Sequence, residues 1–430
     1  MKVFIIAKWA MLFTCFISIS GQSQWIKKTF PYNEDLYIVR FITPEIGWIA
    51  GNHHLFKSTD NGATWNIKDT IATWKGLHVI DEMTVIFHDY RRGIRRTTDG
   101  GNTWITVDST IRWINSFNFV NSILGFAAGG SFDTADVYRT VDGGNNWERI
   151  AHQYIDNNNK PSSDFSKVSF IDSLHGWGVT YGGMIFHSSD GGYNWTFQDS
   201  TASENFAPLR DIQFTTPDSG LAVGGISGNS IILRTTDGGT NWISSSIPVS
   251  FTACSFREIF MIDSKVGWLV GSYNGGPSYI IKTTDGGDTW IDQTPDPENE
   301  YIGFESISML DEFHGYMVGF EGKFYETTNG GVTGIAENIT STAHQFFLNQ
   351  NYPNPFNPST TIKYSIPKKS FISLKVYDIL GKEITSLINE VKSPGNYTVE
   401  YNAGNLPSGI YFYKIAADGY TAAKKMVIIK

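Results

Sequence analysis

One eight-residue pattern, Ser/Thr-x-Asp-x-Gly-x-Thr/Asn-Trp, recurs seven times between residues 58 and 334, with departures in the seventh copy. Successive copies lie 39, 43, 48, 47, 48 and 44 residues apart. Four short strands with their turns need roughly 40–45 residues, which is the length of one propeller blade. The spacing therefore predicts an all-β chain whose main part is a seven-bladed β-propeller. The third positions of the seven copies are Asp60, Asp99, Asp142, Asp190, Asp237, Asp285 and Asn329.

The pattern has the chemistry of a hairpin turn. An Asp carboxylate accepts backbone N–H groups just downstream, the glycine at the fifth position supplies a positive φ, and the Trp folds back over the turn. An active site needs one set of catalytic groups, whereas this pattern supplies seven equivalent ones. We therefore expect the acidic positions to be structural.

A second motif precedes the pattern, as in Phe-Ile-Thr-Pro-Glu-Ile-Gly-Trp from Phe41. Its alternating apolar residues predict an inner strand, a polar turn and a second strand, packed blade on blade. The second unit departs from the motif and reads Val-Ile-Asp-Glu-Met-Thr-Val from Val79. The residue before each turn pattern is basic or a histidine in six of seven units, and we expect it to pair with neighbouring acids. These seven residues are Lys57, Arg96, Arg139, His187, Arg234, Lys282 and Glu326.

The seventh unit is incomplete, because Gly334 replaces the Trp and a polar stretch follows where an outer strand is expected. Near the N-terminus, Gln24-Trp25-Ile26-Lys27-Lys28 resembles the strand that follows the other copies. We infer that this N-terminal strand completes blade seven, with Trp25 in place of the missing Trp. Such a closure pairs strand edges that would otherwise be open.

The ends of the chain differ from the repeats. Residues 1–21 combine Lys2 and Lys8 with an apolar run from Trp9 to Ile19, which predicts a secretory signal peptide; the run is shorter than the ~20 residues of a membrane span. Loss of that segment leaves only Cys254, so no internal disulfide is expected. We assign 22–335 to the propeller, 336–345 to a linker and 346–430 to a second domain.

The two domains carry opposite charge. Residues 22–345 hold 21 basic and 37 acidic side chains, a formal charge of −16, whereas 346–430 hold 10 and 5, a charge of +5. An acidic propeller repels phosphate backbones, which argues against nucleic acid as a partner. Residues 346–430 contain short alternating strands separated by Pro and Gly turns, which predict a small Ig-like β-sandwich.

These motifs resemble known families. The eight-residue pattern is similar to the Asp-box, or BNR, repeat of sialidases, sortilin-type receptors and certain glycoside hydrolases. Over about residues 24–334 the chain most resembles the photosynthesis system II assembly factor propellers, which implies a binding or assembly protein.

The segments Tyr-Pro-Asn-Pro-Phe-Asn-Pro, Val-Tyr-Asp-Ile-Leu-Gly and Leu-Pro-Ser-Gly-Ile-Tyr resemble the type IX secretion C-terminal sorting domain. That resemblance implies the type IX secretion machinery as a partner, and release or attachment at the outer-membrane surface. A carbohydrate-binding or fibronectin-like sandwich is the alternative.

The best candidate site is the mouth of the central channel, where the inner strands begin. Aligned repeats place one position there in each unit: Tyr37, Lys75, Asn115, Ser166, Arg210, Arg257 and Glu305. The next position holds Ile38, Gly76, Ser116, Lys167, Asp211, Glu258 and Ser306. The candidate ligand-binding residues are Lys75, Arg210, Asp211, Arg257, Glu258 and Glu305.

Three interpretations of the channel mouth remain open. Asp211 and Glu258 would suit glycoside cleavage if they lay roughly 5–9 Å apart, but alternating charges at a rim also form ion-paired, hydrated rings or bind ligands. No Arg-Ile-Pro motif of sialidases, no metal-ligand spacing and no phosphate-binding loop occurs in the sequence. We therefore expect a secreted or cell-surface, non-catalytic module that binds a protein or glycan without a cofactor. The alternative is a secreted glycoside hydrolase, sialidase-like or glucanase-like.

Overall fold

The computed structural model describes residues 25–70, 76–111, 113–131, 134–154, 164–200, 207–226, 229–247, 251, 254–272, 278–295 and 303–331 of the first part of the chain. In the last part it describes residues 347–348, 351, 354, 356–366, 368–393, 395–404, 406–417 and 419–429. The predicted signal peptide, Lys75, Gly334 and the linker 336–345 lie outside these ranges. The chain divides into two compact units, Met1–Gly334 and Ile335–Lys430.

The first unit consists of seven four-stranded antiparallel sheets. The first strand is β1 (Ile26–Lys28). Blade one is β2 (Leu36–Phe41), β3 (Gly47–Gly51), β4 (His54–Ser58) and β5 (Asn66–Thr70). Blade two is β6 (Leu77–Val79), β7 (Val85–Asp89), β8 (Gly93–Thr97) and β9 (Ile105–Asp108). Blade three is β10 (Ile114–Phe119), β11 (Gly125–Ser131), β12 (Thr134–Thr140) and β13 (Glu148–Tyr154). Blade four is β14 (Phe165–Phe170), β15 (Gly176–Thr180), β16 (Ile185–Ser188) and β17 (Thr196–Asp199). Blade five is β18 (Leu209–Phe214), β19 (Gly220–Ile226), β20 (Asn229–Thr235) and β21 (Ile243–Ser244). Blade six is β22 (Ser255–Met261), β23 (Gly267–Ser272), β24 (Ser278–Thr283) and β25 (Ile291–Asp292). Blade seven is β26 (Phe304–Met309), β27 (Gly315–Gly319), β28 (Lys323–Thr327) and β1.

The inner strands form a closed ring, because each packs on the next and β26 of blade seven packs on β2 of blade one. The prediction of a seven-bladed β-propeller is confirmed. β1 pairs with β28, with Ile26 opposite Glu326 and Lys28 opposite Phe324. Trp25 is only 3% exposed and packs in the core between blades six and seven, beside Trp268. The seventh sheet therefore takes its fourth strand from the beginning of the chain.

The Asp-box turns have the same geometry in blade after blade. In blade one, Ser58 Oγ donates to Asp60 Oδ1 at 2.8 Å and accepts the Gly62 N–H at 2.9 Å. The Asp60 carboxylate accepts both the Thr64 hydroxyl and the Thr64 N–H, and these bonds lower the pKa of Asp60. The seven fifth-position glycines have φ between 71° and 89°, as the turn chemistry predicts. Trp65 Nε1 donates back to the Gly62 carbonyl, and Trp195 does the same at Gly192.

The basic residue before a box joins neighbouring blades. Lys57 Nζ donates to the carbonyl oxygens of Glu82 and Gly100 in blade two. Arg96 Nε donates to the Gly143 carbonyl in blade three at 2.9 Å, and Lys282 Nζ to the Gly330 carbonyl in blade seven. These three side chains bind carbonyl oxygens, because the next turn points its glycine carbonyl towards them. Arg234 instead pairs with the Asp288 carboxylate of blade six, as expected.

The glycine of the Gly-Trp motif makes room for an aromatic ring. A Cβ on Gly47 would lie 2.5 Å from Cε1 of the Phe41 ring, so any larger residue would displace that ring. The second unit has Val79 in place of the phenylalanine and begins its second strand with Val85. The second unit thus has a smaller side chain, Val79, where the other unit has a phenylalanine ring, and it lacks the glycine that makes room for that ring. This explains why its sequence departs from the motif.

The second unit is a two-sheet sandwich. One sheet has the order β29 (Phe347–Leu348), β30 (Ser359–Ile366) and β33 (Gly395–Asn402), and the other has β32 (Glu383–Lys392), β31 (Ser370–Tyr377), β34 (Gly409–Ala417) and β35 (Tyr420–Ile428). Ile362, Leu374, Tyr413 and Ile415 are fully buried in one shared core. The predicted small β-sandwich is confirmed. Within the described ranges, no helix is long and apolar enough to cross a membrane.

Candidate functional site at the channel mouth

The channel mouth and the Asp-boxes lie at opposite ends of the blades. The first and third strands of an antiparallel sheet run in the same direction, so the box that follows the third strand lies far from the start of the first. A cavity of about 480 Å³ lies where the inner strands begin. Five of the six predicted ligand-binding residues line it, and the sixth, Lys75, lies outside the described residues. The five are Arg210, Asp211, Arg257, Glu258 and Glu305.

The free backbone edges of the inner strands are hydrogen-bonded from the preceding blade. Asp211 Oδ2 accepts the Ile259 N–H at 3.0 Å, and Glu258 Oε2 accepts the Ile307 N–H at 2.9 Å. Ser306 Oγ accepts the Val39 N–H in the same way. Two residues further along the inner strands, side-chain oxygens accept backbone N–H groups of the next blade in the same way. The acceptors Asn118, Ser169, Gln213 and Ser308 bind the N–H groups of Phe170, Phe214, Met261 and Phe41, respectively. We call these contacts the inner-edge bonds. They satisfy donors that an unpaired strand would leave open.

Asp211 and Glu258 are buried side chains of the cavity lining and share one ammonium group. Lys167 Nζ is 3.3 Å from Asp211 Oδ1 and 3.9 Å from Glu258 Oε1. Arg40 reaches Glu258 Oε1 from blade one and donates to Ser306 Oγ on the way. Burial raises the pKa of Asp211. Burial acts on Glu258 too, but the charges of Arg40 and Lys167 outweigh it and lower the pKa of this carboxyl.

Two further guanidinium groups, those of Arg210 and Arg257, line the same cavity. Arg257 Nε lies 3.3 Å from Glu305 Oε1, and both side chains are largely buried. Arg210 Nε donates to Ser255 Oγ at 3.2 Å, and Ser255 in turn donates to a backbone carbonyl. Burial, reinforced by the neighbouring Arg257, lowers the pKa of Arg210. Burial raises the pKa of Glu305, against the opposing charge of Arg257.

Aromatic side chains complete the wall of the cavity. The rings of Tyr37 and Phe320 meet edge to face, 5.9 Å between centroids, and Tyr181 lies on the lining as well. His78 stacks on Phe119 at 4.8 Å, and burial together with the charges of Arg40 and Lys167 lowers the pKa of His78 to about 3. The imidazole is therefore neutral at physiological pH.

Sequence reasoning did not select Arg40, Lys167 or His78 as site residues. Lys167 occupies the position next to the strand start, where only the carboxylates Asp211 and Glu258 were chosen. Arg40 and His78 lie two residues beyond that position, on the same side of their strands, so period-two alternation would have pointed to them. With them the described lining carries four cations, Arg40, Lys167, Arg210 and Arg257, against three carboxylates. Among the described residues, no cluster of His, Cys, Asp or Glu could hold a metal ion.

Two family models match parts of the chain. Residues 350–430 match the secretion system C-terminal sorting domain. The second unit is a type IX secretion sorting domain. Residues 199–299, which include blades five and six, match the photosynthesis system II assembly factor YCF48. Both resemblances drawn from the motifs are confirmed, and the sorting domain places the protein at the cell surface or in the extracellular space. No curated protein matches the sequence.

Solved propellers share the fold at low sequence identity. YCF48 from Cyanidioschyzon merolae is 15% identical, with a TM-score of 0.56 over 71% of this chain and 98% of that one. A structure of YCF48 bound to D1 peptide is 18% identical, with a TM-score of 0.55 over 71% and 97%. The GH74 xyloglucanase from Xanthomonas campestris is 12% identical, with a TM-score of 0.54 over 80% of this chain and 59% of that one. These likenesses include an enzyme and a peptide-binding protein, so they establish the propeller fold alone.

Proposed function

We propose that this protein is an exported, non-catalytic propeller that binds a segment of a protein or a glycan chain at the channel mouth. The observation that carries the proposal is that two groups of side chains in the cavity differ in their contacts. Asp211 and Glu258 are buried and engaged by backbone N–H groups and by cations. Other polar and aromatic side chains of the lining are only partly buried, namely Arg210, Arg257, Tyr37, Tyr181 and Phe320. Concave sites with a few placed polar groups and aromatic walls are typical of ligand binding.

The same contacts weigh against hydrolysis. A general acid must carry a proton and present it to the leaving oxygen. Both oxygens of Asp211 accept backbone N–H groups, from Ile212 and Ile259, and both oxygens of Glu258 are likewise engaged. One observation supports the alternative of a glycoside hydrolase: Asp211 has a raised pKa beside the lowered pKa of Glu258, the kind of split that acid–base pairs use. The YCF48 structure that holds a D1 peptide shows that a propeller of this fold binds a peptide.

The test uses the exported chain, residues 22–430, against envelope proteins and an array of glycans. We expect capture of a ligand without turnover, and loss of capture by at least about tenfold when Arg210 and Arg257 are both replaced by Ala. Lys265→Ala is the matched control, because this exposed lysine lies in a turn at the opposite end of blade six. Release of sugar by the wild type that disappears in Asp211→Asn or Glu258→Gln would establish the hydrolase instead.

A further inference from the structure

The sorting domain has an exposed sheet face that its own core does not explain. In the sheet β32-β31-β34-β35, alternate residues such as Leu374, Tyr413 and Ile415 face the core. The residues between them point outward, and the strand register brings Tyr377 beside Phe412, Phe412 beside Lys425, and Ile410 beside Val427. Ile410 and Phe412 are 45% and 37% exposed. Apolar side chains thus cluster at the end of the sheet where β31 finishes.

The turn from β31 to β32 extends this cluster. Asp378 Oδ1 accepts the N–H groups of Leu380 and Lys382, both at 2.9 Å, which fixes the turn. Ile379 and Leu380 are held outward at its tip, 68% and 88% exposed. A fixed turn that presents two large aliphatic side chains to water is costly unless another surface covers them.

The charge around this tip is positive. Lys382 is exposed in the turn itself, and Lys414 and Lys425 are exposed on the outward face beside Phe412. Lys375 lies opposite Lys414 and pairs with Glu383 at 2.8 Å. The domain as a whole has a formal charge of +5. A complementary partner is therefore negatively charged and able to receive aliphatic side chains.

We propose that the sorting domain docks on an anionic lipid surface, with Ile379 and Leu380 inserted at the interface and Lys382, Lys414 and Lys425 at the headgroups. A tip of two side chains offers little of the roughly 800 Å² that each partner buries in a stable protein interface. A lipid surface accepts a protruding tip without a complementary pocket, while lysine stems lie along the acyl boundary with their charges at the headgroups. The docking is independent of ligand binding at the channel mouth.

The experiment measures co-sedimentation of the exported chain, residues 22–430, with vesicles of phosphatidylcholine, with and without phosphatidylglycerol. We expect binding to the anionic vesicles that weakens at high salt. Replacing Ile379 and Leu380 together by Ser lowers the partition coefficient by at least about tenfold. The matched control is Val391→Ser, because Val391 is 54% exposed on the same sheet but opposite Phe371, at the far end from the tip.

A second pair of variants tests the lysines. Lys382→Gln with Lys414→Gln should weaken binding to anionic vesicles by about tenfold or more and leave the salt dependence shallower. Equal melting temperatures show that all variants fold, since every replaced side chain is exposed. Unchanged binding by the tip variant, or no binding of the wild type to vesicles, overturns the proposal. If vesicles are not bound but the tip variant blocks export in cells, the tip contacts a protein of the secretion machinery instead.

Discussion

The two ends of the blades differ in how closely the seven copies agree. At the box end, six aspartates and one asparagine accept the hydroxyl of the residue two positions upstream, as at Asp60, Asp237 and Asn329. At the mouth, equivalent positions hold a tyrosine, an asparagine, a serine, two arginines and a glutamate among the described blades. Chemistry that is repeated in each blade serves the ring itself, whereas chemistry that differs from blade to blade creates one asymmetric site.

The largest effect is expected from a variant that cannot close blade seven, because only a closed ring makes the seven boxes equivalent. Removing residues 22–32 deletes β1 and the buried Trp25 and exposes the edge of β28. We expect a loss of about 3–5 kcal/mol from the missing aromatic alone, which corresponds to a fall in melting temperature of roughly ten degrees. Calorimetry of the exported chain measures it.

Two point variants separate closure from the mere loss of a terminus. Trp25→Ala should reproduce much of the effect with the strand retained, because Trp25 is 3% exposed in the core between blades six and seven. Ile26→Ser, at the next residue, should change little, since Ile26 is 61% exposed. An unchanged transition in the deletion variant would mean that β1 does not close the ring.

A smaller effect, equal in every blade, is expected at the boxes. Thr235 is buried, donates to Asp237 and accepts the Gly239 N–H at 2.8 Å. Thr235→Val leaves that buried N–H without its acceptor, a cost of about 1–3 kcal/mol. Thr97→Val should cost the same within error, because Thr97 makes the same bonds to Asp99 and Gly101. Urea unfolding gives both values, and clearly unequal costs would contradict the equivalence of the boxes.

The sequence was most informative where a feature repeats. Seven spaced turns predicted the number of blades, the role of Asp60 and its equivalents, and the positive φ of the box glycines. Trp25 could be assigned to blade seven because its neighbours match the strands after other boxes. The contacts within a hairpin are local, so a short pattern determines them.

The site was harder to predict because its contacts join distant blades. Arg40 of blade one passes Ser306 of blade seven to reach Glu258 of blade six, and no local pattern encodes that path. The inner-edge bonds of Asp211 and Glu258 likewise depend on how one blade is placed against the next. The sequence predicted that the inner strands begin at one mouth of the channel. It did not predict which charged side chains would pair with one another there.

The smallest expected effect concerns the charge of a single box. Asn241 and Thr235 donate to Asp237 and lower its pKa, so the ionised carboxylate stabilises the fold above its ordinary pKa of 3.8, and this contribution is lost as the pH falls below that value. Asp237→Asn imitates the seventh box, where Asn329 Oδ1 accepts the Thr327 hydroxyl and the Gly331 N–H.

We expect Asp237→Asn to lower the melting temperature at pH 7 by no more than about two degrees, because the amide oxygen retains the acceptor role. The difference from wild type should shrink at pH 3, where the carboxylate begins to lose its charge while the amide does not titrate. Thermal scans at the two pH values measure it. A difference that is the same at both would show that the boxes depend on the position of an acceptor oxygen and not on its charge, which would also explain why an asparagine suffices in blade seven.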